Sequence, residues 1–174
     1  MSVLRLINQT EIISSSSTVN ITNVFSADFD VYKIEVSNMT TTGPSQNVYM
    51  RLINSAGSVI TTSNYHYAYL SMTDYAAFVP SYSAAATSWS EMFGISYDNT
   101  SSLNGNGVAY IFNPYSSSLY TYAINETTSG SLRSSKGSLS IQIKDSITGF
   151  QLFDSTTARP FSSGLIKTYG LRKT

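Results

Sequence analysis

The chain has 174 residues, of which 11% are charged, and its ten Lys and Arg residues balance its ten Asp and Glu residues. A chain without net charge has no field to steer it toward nucleic acid or an anionic membrane surface, so we expect neither as a partner. The sequence contains no cysteine, which excludes disulfides, thiolate metal sites and cysteine nucleophiles.

Hydroxyl groups make up most of the polar surface that this composition predicts. The chain has 32 Ser, 19 Thr and 13 Tyr residues. Its share of charged residues is 11%, whereas an average protein has about 25%. Hydroxyl and amide groups suit docking through shape and hydrogen bonds. A net charge near zero also promotes association. The composition therefore predicts a subunit of an assembly.

The N-terminal segment has its own character. An apolar stretch at about 3–7 predicts a short strand, and the run Ser14-Ser15-Ser16-Ser17-Thr18 is a polar, low-complexity link. We expect residues 1–18 to form this strand and link, and residues 19–174 to form one β-sandwich domain. No run of about 18 apolar residues occurs, so we expect no membrane span.

From there on, apolar residues recur with a period of two, which is typical of half-buried strands. Turn residues such as Asn54 to Gly57 and Asn113-Pro114 separate these runs. The pattern predicts an all-β fold of about eight to ten strands, arranged as an antiparallel sandwich or barrel. The alternating sets are Tyr32, Ile34 and Val36; Val48, Met50 and Leu52; Tyr65, Tyr67 and Tyr69; Val108, Tyr110 and Phe112; Tyr120, Tyr122 and Ile124; and Leu139, Ile141 and Ile143.

Two stretches do not follow this period. Residues Met72 to Phe78 and Ser83 to Met92 are rich in Ala and Ser, which raises helix propensity. We expect a turn of helix or an extended loop in each of them.

Catalytic and metal-binding residues form no recognisable set. His66 is the single histidine and has no serine nearby in a nucleophile-elbow context. Asp28 and Asp30 have a spacing that suits a calcium loop but lack its further ligands, so a turn leading into a strand is the alternative that we favour. No two carboxylates are marked as the acid and base of a glycosidase. We expect no catalytic residues, no metal and no cofactor, and a chain that is not an enzyme.

Aromatic side chains are the remaining candidates for a functional site. Trp89 and the row formed by Tyr65, Tyr67 and Tyr69 offer flat faces that could stack on sugar rings or on a neighbouring subunit. The alternative is that these rings fill the interior of the sandwich or cover one of its faces.

Five segments together resemble a family of small virion structural proteins of tailed bacteriophages. They are Val24 to Ile34, Val48 to Leu52, Ala109 to Tyr115, Thr148 to Leu152, and Ser163 to Arg172, of which the last, with Gly164, Ile166, Lys167, Tyr169, Gly170 and Arg172, is the most characteristic. The resemblance implies a jelly-roll-like sandwich that serves as a head decoration or tail-associated subunit, usually as a homotrimer or larger ring. The long segment from Tyr75 to Met92 departs from the simplest form of this pattern.

Three functions follow as expectations. The first is a structural subunit of a bacteriophage virion, most simply a capsid decoration or cement protein that forms a homotrimer and binds the major capsid protein or other virion subunits. The second is a glycan-binding receptor module of a tail fibre or tail tip, with Trp89 and the three tyrosines as its platform. The third, a glycan-cleaving enzyme, would need a pair of carboxylates that the sequence does not indicate.

Overall fold

The computed structural model describes residues 4–42, 46–72, 77–95, 104–129, 133–154 and 159–171, and within these ranges it contains strands and no helix. The all-β prediction is confirmed, although the described residues form twelve strands rather than eight to ten. The strands are β1 (Leu4–Ile12), β2 (Thr18–Ile21), β3 (Val31–Thr41), β4 (Gln46–Asn54), β5 (Tyr65–Met72), β6 (Phe78–Ala86), β7 (Trp89–Ile95), β8 (Gly105–Phe112), β9 (Thr121–Ser129), β10 (Arg133–Ile141), β11 (Ile147–Asp154) and β12 (Phe161–Leu171).

The strands form two antiparallel sheets. The large sheet has the order β1-β12-β3-β8-β9-β10-β5-β6, and the small sheet has the order β2-β11-β4-β7. Strands from the two ends of the chain pair with each other, β1 with β12 and β2 with β11, and the more central strands pair as β3 with β8 and β4 with β7. Two four-stranded sheets joined by such nested pairs form a jelly roll.

Four strands lie outside this jelly roll. The β5–β6 hairpin is inserted between β4 and β7, and the β9–β10 hairpin is inserted between β8 and β11. Both hairpins join the same edge of the large sheet, beyond β8. We call β9, β10, β5 and β6 the extension, and the other eight strands the jelly-roll unit.

The buried residues of the described ranges form a hydrophobic core that fills the space between the sheets. The predicted inward-facing sets in β3 and β4 are confirmed, since Tyr32, Ile34 and Val36, and likewise Val48, Met50 and Leu52, are buried. Leu139 and Ile141 of β10 are buried too, whereas Ile143 follows the end of that strand and is partly buried against the core.

The stretches predicted to contain helical turns or loops are strands where they are described. Residues 78–86 form β6 and residues 89–95 form β7, while residues 73–76 lie outside the described residues. The helix expectation is therefore wrong for 83–92, because sheet pairing overrides the helix propensity of the alanines. The described residues contain no helix long and apolar enough to span a membrane.

The structure confirms the predicted N-terminal strand and two of the predicted turns. The strand predicted at about 3–7 is β1, which is longer and forms one edge of the large sheet. The turn at 54–57 closes through a hydrogen bond from Gly57 N to Asn54 O of 2.9 Å, with Gly57 at a φ of 77°. Asn113 has a φ of 53° and its carbonyl accepts the amide of Ser116, so this turn is confirmed as well.

Candidate functional site

Large apolar and aromatic side chains are exposed mainly on the extension. Twelve such side chains are exposed in the described part of the chain. Seven belong to extension strands: Leu70, Met72, Phe78, Val79, Tyr82, Tyr122 and Ile124. Three more, Tyr115, Leu119 and Tyr120, belong to the loop that leads from β8 into β9. Single exposed apolar residues are common, but a contiguous group usually marks a binding surface.

Strand register aligns most of these residues on the outer face of the large sheet, which is the face turned away from the small sheet. Three rows cross this face from the extension to the jelly-roll unit. The first is Tyr82, Ala68, Ser138, Ile124, Tyr110 and Lys33; the second is His66, Ser140, Tyr122, Phe112 and Val31; the third is Pro80, Leu70, Lys136, Glu126, Val108 and Glu35.

The direction of side chains in β8 and β9 is the main departure from the predicted alternation. The aromatic set in each strand faces outward, while Ala109, Ile111 and Ala123 face the interior and are buried. Strand β7 of the small sheet packs over β8 and β9. Small inward residues allow this close approach, so the larger aromatic rings lie on the other face.

The free edge of the extension is formed by β6, and it exposes side chains on both faces. Phe78 is 68% exposed and Tyr82 is 81% exposed on the outer face, while Val79 is exposed on the opposite face. Pro80 lies in the middle of this edge strand and has no N–H to donate. Proline on an edge strand discourages pairing with a further strand. The available surface of the extension is therefore its outer face rather than its edge.

Charges on this outer face occur as neighbouring pairs of opposite sign. Lys136 of β10 forms an ion pair with Glu126 of β9. Lys33 and Glu35 of β3 form a second pair. The hydrogen bond between them raises the pKa of Lys33 and lowers the pKa of Glu35. Desolvation and a hydrogen bond to Glu35 raise the pKa of Tyr169, which lies beside Lys33 on β12. Paired charges leave little field to attract an ionic ligand.

On the outer face of the small sheet, neighbouring side chains cover the ring of Phe153. The guanidinium of Arg51 lies 4.3 Å from the ring centroid of Phe153, and the ring of Tyr49 meets the same phenyl ring edge to face at 5.7 Å. As a result Phe153 is 6% exposed. Gln151 donates to Asn20 on the neighbouring strand. The aromatic groups of this face already have partners within the chain.

Two of the aromatic residues proposed from the sequence lie in the core. Trp89 is the first residue of β7 rather than part of a loop, and its side chain is fully buried. Tyr65 is also fully buried, and its hydroxyl accepts from Leu52 N at 2.8 Å and donates to Ile60 O at 3.0 Å. Burial raises the pKa of Tyr65 well above its usual range. Neither ring presents a face to a ligand in this structure.

The other two tyrosines, Tyr67 and Tyr69, are half-buried. They share the inward face of β5 with Tyr65, and their rings are nearly parallel with centroids 6.0 Å apart. Tyr67 packs against the core, while Tyr69 lies opposite Ser81 of β6 and Gly137 of β10. A sugar-stacking role stays a prediction for this pair alone.

The ionisable residues considered from the sequence are spread apart. His66 is half-buried on the outer face, opposite Ser140. Ser26 donates its hydroxyl to the carboxylate of Asp28 and accepts the amide of the same residue, as expected for a turn before β3. Among the residues that the structure describes, no group of three or more His, Asp or Glu side chains could hold a metal ion.

The sequence alone gave no sign that the exposed face would be in the extension. The residues that form it come from three strands, β6, β8 and β9, and are chiefly Tyr82, Tyr110, Phe112, Tyr122 and Ile124. The alternation of β9 indicates the opposite arrangement. Tyr122 and Ile124 are the larger and more apolar set of this strand, and hydrophobicity alone would place them in the core. Only the position of β7 explains why the larger side chains lie outside.

No family model matches the sequence, and no curated protein matches it. Among solved structures, a mutant of alginate lyase Aly36B in complex with an alginate tetrasaccharide matches with 11% identity and a TM-score of 0.33, covering 95% of this chain and 80% of that one. A second Aly36B mutant, in complex with an alginate trisaccharide, matches with 10% identity and a TM-score of 0.34, covering 98% and 88%.

A third match is the CBM2 module of the evolved Dit of Lactobacillus casei BL23 phage J-1, with 9% identity, a TM-score of 0.23, and coverage of 90% of this chain and 70% of that one. It is a weak likeness to a phage tail-associated module. The two lyase matches contradict our expectation that the chain is not an enzyme, and that expectation is not kept. At these TM-scores the matches carry no argument for a particular reaction.

Proposed function

We propose that the chain is a structural subunit of a tailed-bacteriophage virion that assembles with copies of itself and with other virion subunits. The observation that carries this proposal is the group of exposed apolar residues on the extension, of which Phe78, Tyr82 and Ile124 are examples. An apolar face of this kind is costly in water and is normally covered by a partner. The jelly-roll arrangement of the sheets and the resemblance of five segments to such subunits support the same function.

Hydroxyl-rich composition supports an assembly role as well. The chain has no formal net charge, so copies do not repel one another at neutral pH. Interfaces of structural subunits gain affinity from buried aromatic and apolar side chains and gain specificity from hydrogen bonds at the rim. The described outer face has both kinds of group in alternation, with Ser138 and Ser140 between the apolar residues of β9 and β5.

The proposal is tested by measuring the mass of the purified chain and its binding to particles. Size-exclusion chromatography with light scattering should give an oligomer that resists dilution, with three copies as the number that the resemblance implies. Cosedimentation with virions or empty capsids of the source phage should carry the chain into the pellet. A dilution-resistant monomer that stays in the supernatant would refute the proposal.

A second candidate function is glycan binding by Tyr67 and Tyr69. Their nearly parallel, half-buried rings with Ser81 and Ser83 on the neighbouring strand combine an aromatic surface with hydroxyls, as sugar sites do. A glycan array tests this candidate. A hit that is lost in Tyr69→Ala and kept in Tyr82→Ala would support it, and an array without hits would reject it.

A further inference from the structure

The outer face of the extension has a chemical pattern that can match a copy of itself. We infer that a second copy of this chain packs against it face to face, related by a two-fold axis parallel to the strands and lying between β9 and β10. This inference rests on the proposed assembly function and identifies the surface through which copies meet. A two-fold axis in this position keeps each row opposite the same row of the second copy, while it exchanges β9 with β10 and β8 with β5.

Charge complementarity is the first argument for this arrangement. Glu126 and Lys136 face each other across β9 and β10, directly beside the proposed axis. Their side chains are 62% and 69% exposed, so both remain accessible to a partner. The axis places Glu126 opposite Lys136 of the second copy, and Lys136 opposite Glu126. The contact therefore brings together two opposite-charge pairs and no like-charge pair at its centre.

Several further pairs of residues that the axis brings together also match in character. In the same row, Val108 lies opposite Leu70 of the second copy. In the next row, Tyr110 lies opposite Ala68. Thr128 and Ser134 form a neighbouring cross-strand pair. The axis places Thr128 opposite Ser134 of the second copy and Ser134 opposite its Thr128. Because a hydroxyl can both donate and accept, the two side chains can form a hydrogen bond. At these positions apolar groups meet apolar groups and hydroxyls meet hydroxyls, whereas Ile124 meets Ser138 of the second copy and Phe112 meets His66.

The area of the surface is the second argument. The axis pairs six neighbouring strands, β9 with β10, β8 with β5 and β3 with β6, which at about 4.8 Å between strands and about 3.3 Å per residue present a projected face of about 700 Å². Side chains that stand off the sheet, such as Tyr82 and Phe78, add to this area. A stable interface of standard size buries about 800 Å² on each partner. The face is therefore large enough for a specific contact.

A charge-exchange experiment tests the contact directly. Glu126→Lys places two lysines beside the axis of each copy, and Lys136→Glu places two glutamates there. Each variant alone should self-associate at least about 100-fold more weakly than wild type, because like charges become desolvated against each other. Mixed in equal amounts, the two variants should form a heterodimeric contact within about tenfold of the wild-type affinity. Such rescue cannot come from contacts within one chain.

An apolar variant with a matched control completes the test. Ile124→Lys, beside the axis, should weaken self-association at least as much as the charge variants. Gln151→Lys introduces the same charge on the outer face of the small sheet and should leave the oligomer unchanged. All variants should retain the wild-type circular dichroism spectrum and unfold cooperatively, since each changed side chain lies on the surface. Melting temperatures are compared at concentrations low enough for the wild type to be monomeric, because self-association itself stabilises the fold. Light scattering should give an even number of copies, two for this contact alone or six where it joins two trimers, and a mass of three copies would refute the two-fold contact.

Different failures have different meanings. If the wild type is oligomeric and Ile124→Lys keeps its mass, or if the mixed charge variants stay apart, the two-fold contact is refuted and the proposed assembly function stands. A wild-type protein that is monomeric but still sediments with phage particles would also refute the two-fold contact and leave the proposed assembly function standing. A wild-type monomer that binds no particle refutes both.

Discussion

The jelly-roll unit and the extension differ in the exposure of outward-facing apolar side chains. In the jelly-roll unit, Arg51 lies over the ring of Phe153, so that the chain itself covers this side chain. In the extension, Tyr122 and Ile124 stay exposed although they lie in the middle of a sheet. Both regions contribute to one core through their inward faces. The difference indicates that the outward face of the extension contributes little to folding, which leaves it available for a partner.

The largest expected effect separates the two faces of the extension. Ile141 of β10 is fully buried, so Ile141→Asp would bring an uncompensated charge into the core and should prevent folding. Ile124→Asp places the same side chain on the outer face of the neighbouring strand and should cost only about 1 kcal/mol, through lost strand propensity, so that the protein still folds. Soluble expression and urea denaturation measure both. A cooperatively folded Ile141→Asp protein would contradict the assignment of the inward face.

A glycine in the jelly-roll unit tests how tightly that unit is packed. A Cβ on Gly149 of β11 would collide with the backbone carbonyl oxygen of Ile21 on β2. Because backbone cannot rotate away, Gly149→Ala should cost about 3 kcal/mol.

Gly57→Ala is the control for this glycine. A Cβ there meets no atom within 4 Å, and only its φ of 77° opposes the substitution, at a cost of about 1 kcal/mol. Equal losses at the two glycines, measured by urea denaturation, would show that the strands β2 and β11 are free to separate.

Tyr65 connects the extension to the jelly-roll unit. Loss of its hydroxyl has a smaller expected effect than the substitution of Gly149. Its hydroxyl connects β5 to the amide of Leu52 in β4 and to the carbonyl of Ile60. Tyr65→Phe leaves the buried amide of Leu52 without this acceptor and should lower stability by about 1–2 kcal/mol. The exposed Tyr82→Phe is the control and should be neutral. Calorimetry would contradict the role of this hydroxyl if the two variants melted at the same temperature.

The smallest expected effect is the pH dependence contributed by Glu35. Its hydrogen bond with Lys33 lowers the pKa of Glu35 in the folded state. The stabilisation is therefore present above the unfolded pKa and is lost as the pH falls through the folded pKa. For a pair near the surface it should amount to less than about 1 kcal/mol. The stability difference between wild type and Glu35→Gln should shrink toward acidic pH, and a difference that grows instead would contradict this sign.

Sequence reasoning succeeded where burial and periodicity agree. The alternation in β3 and β4 correctly identified the inward residues, because Tyr32, Ile34 and Leu52 belong to the more apolar set of their strands. For the aromatic candidates it left two positions open, a stacking surface or the interior. Trp89 and Tyr65 lie in the interior, while Tyr82, which is 81% exposed, was not among the candidates. Aromatic rings suit both positions, so residue type alone does not distinguish them.

A period of two specifies that a strand has two different faces, and this was enough to determine an all-β protein from the sequence. Which face is buried depends on what packs against it. Tertiary structure decided this in β8 and β9, where β7 lies over Ala109 and Ala123 and leaves the rings of Tyr110 and Tyr122 outside. It also brought together two hairpins that are separated in the sequence by the 34 residues 87–120. The extension and its outer face exist because strand pairing joins distant segments, and no local pattern encodes that pairing.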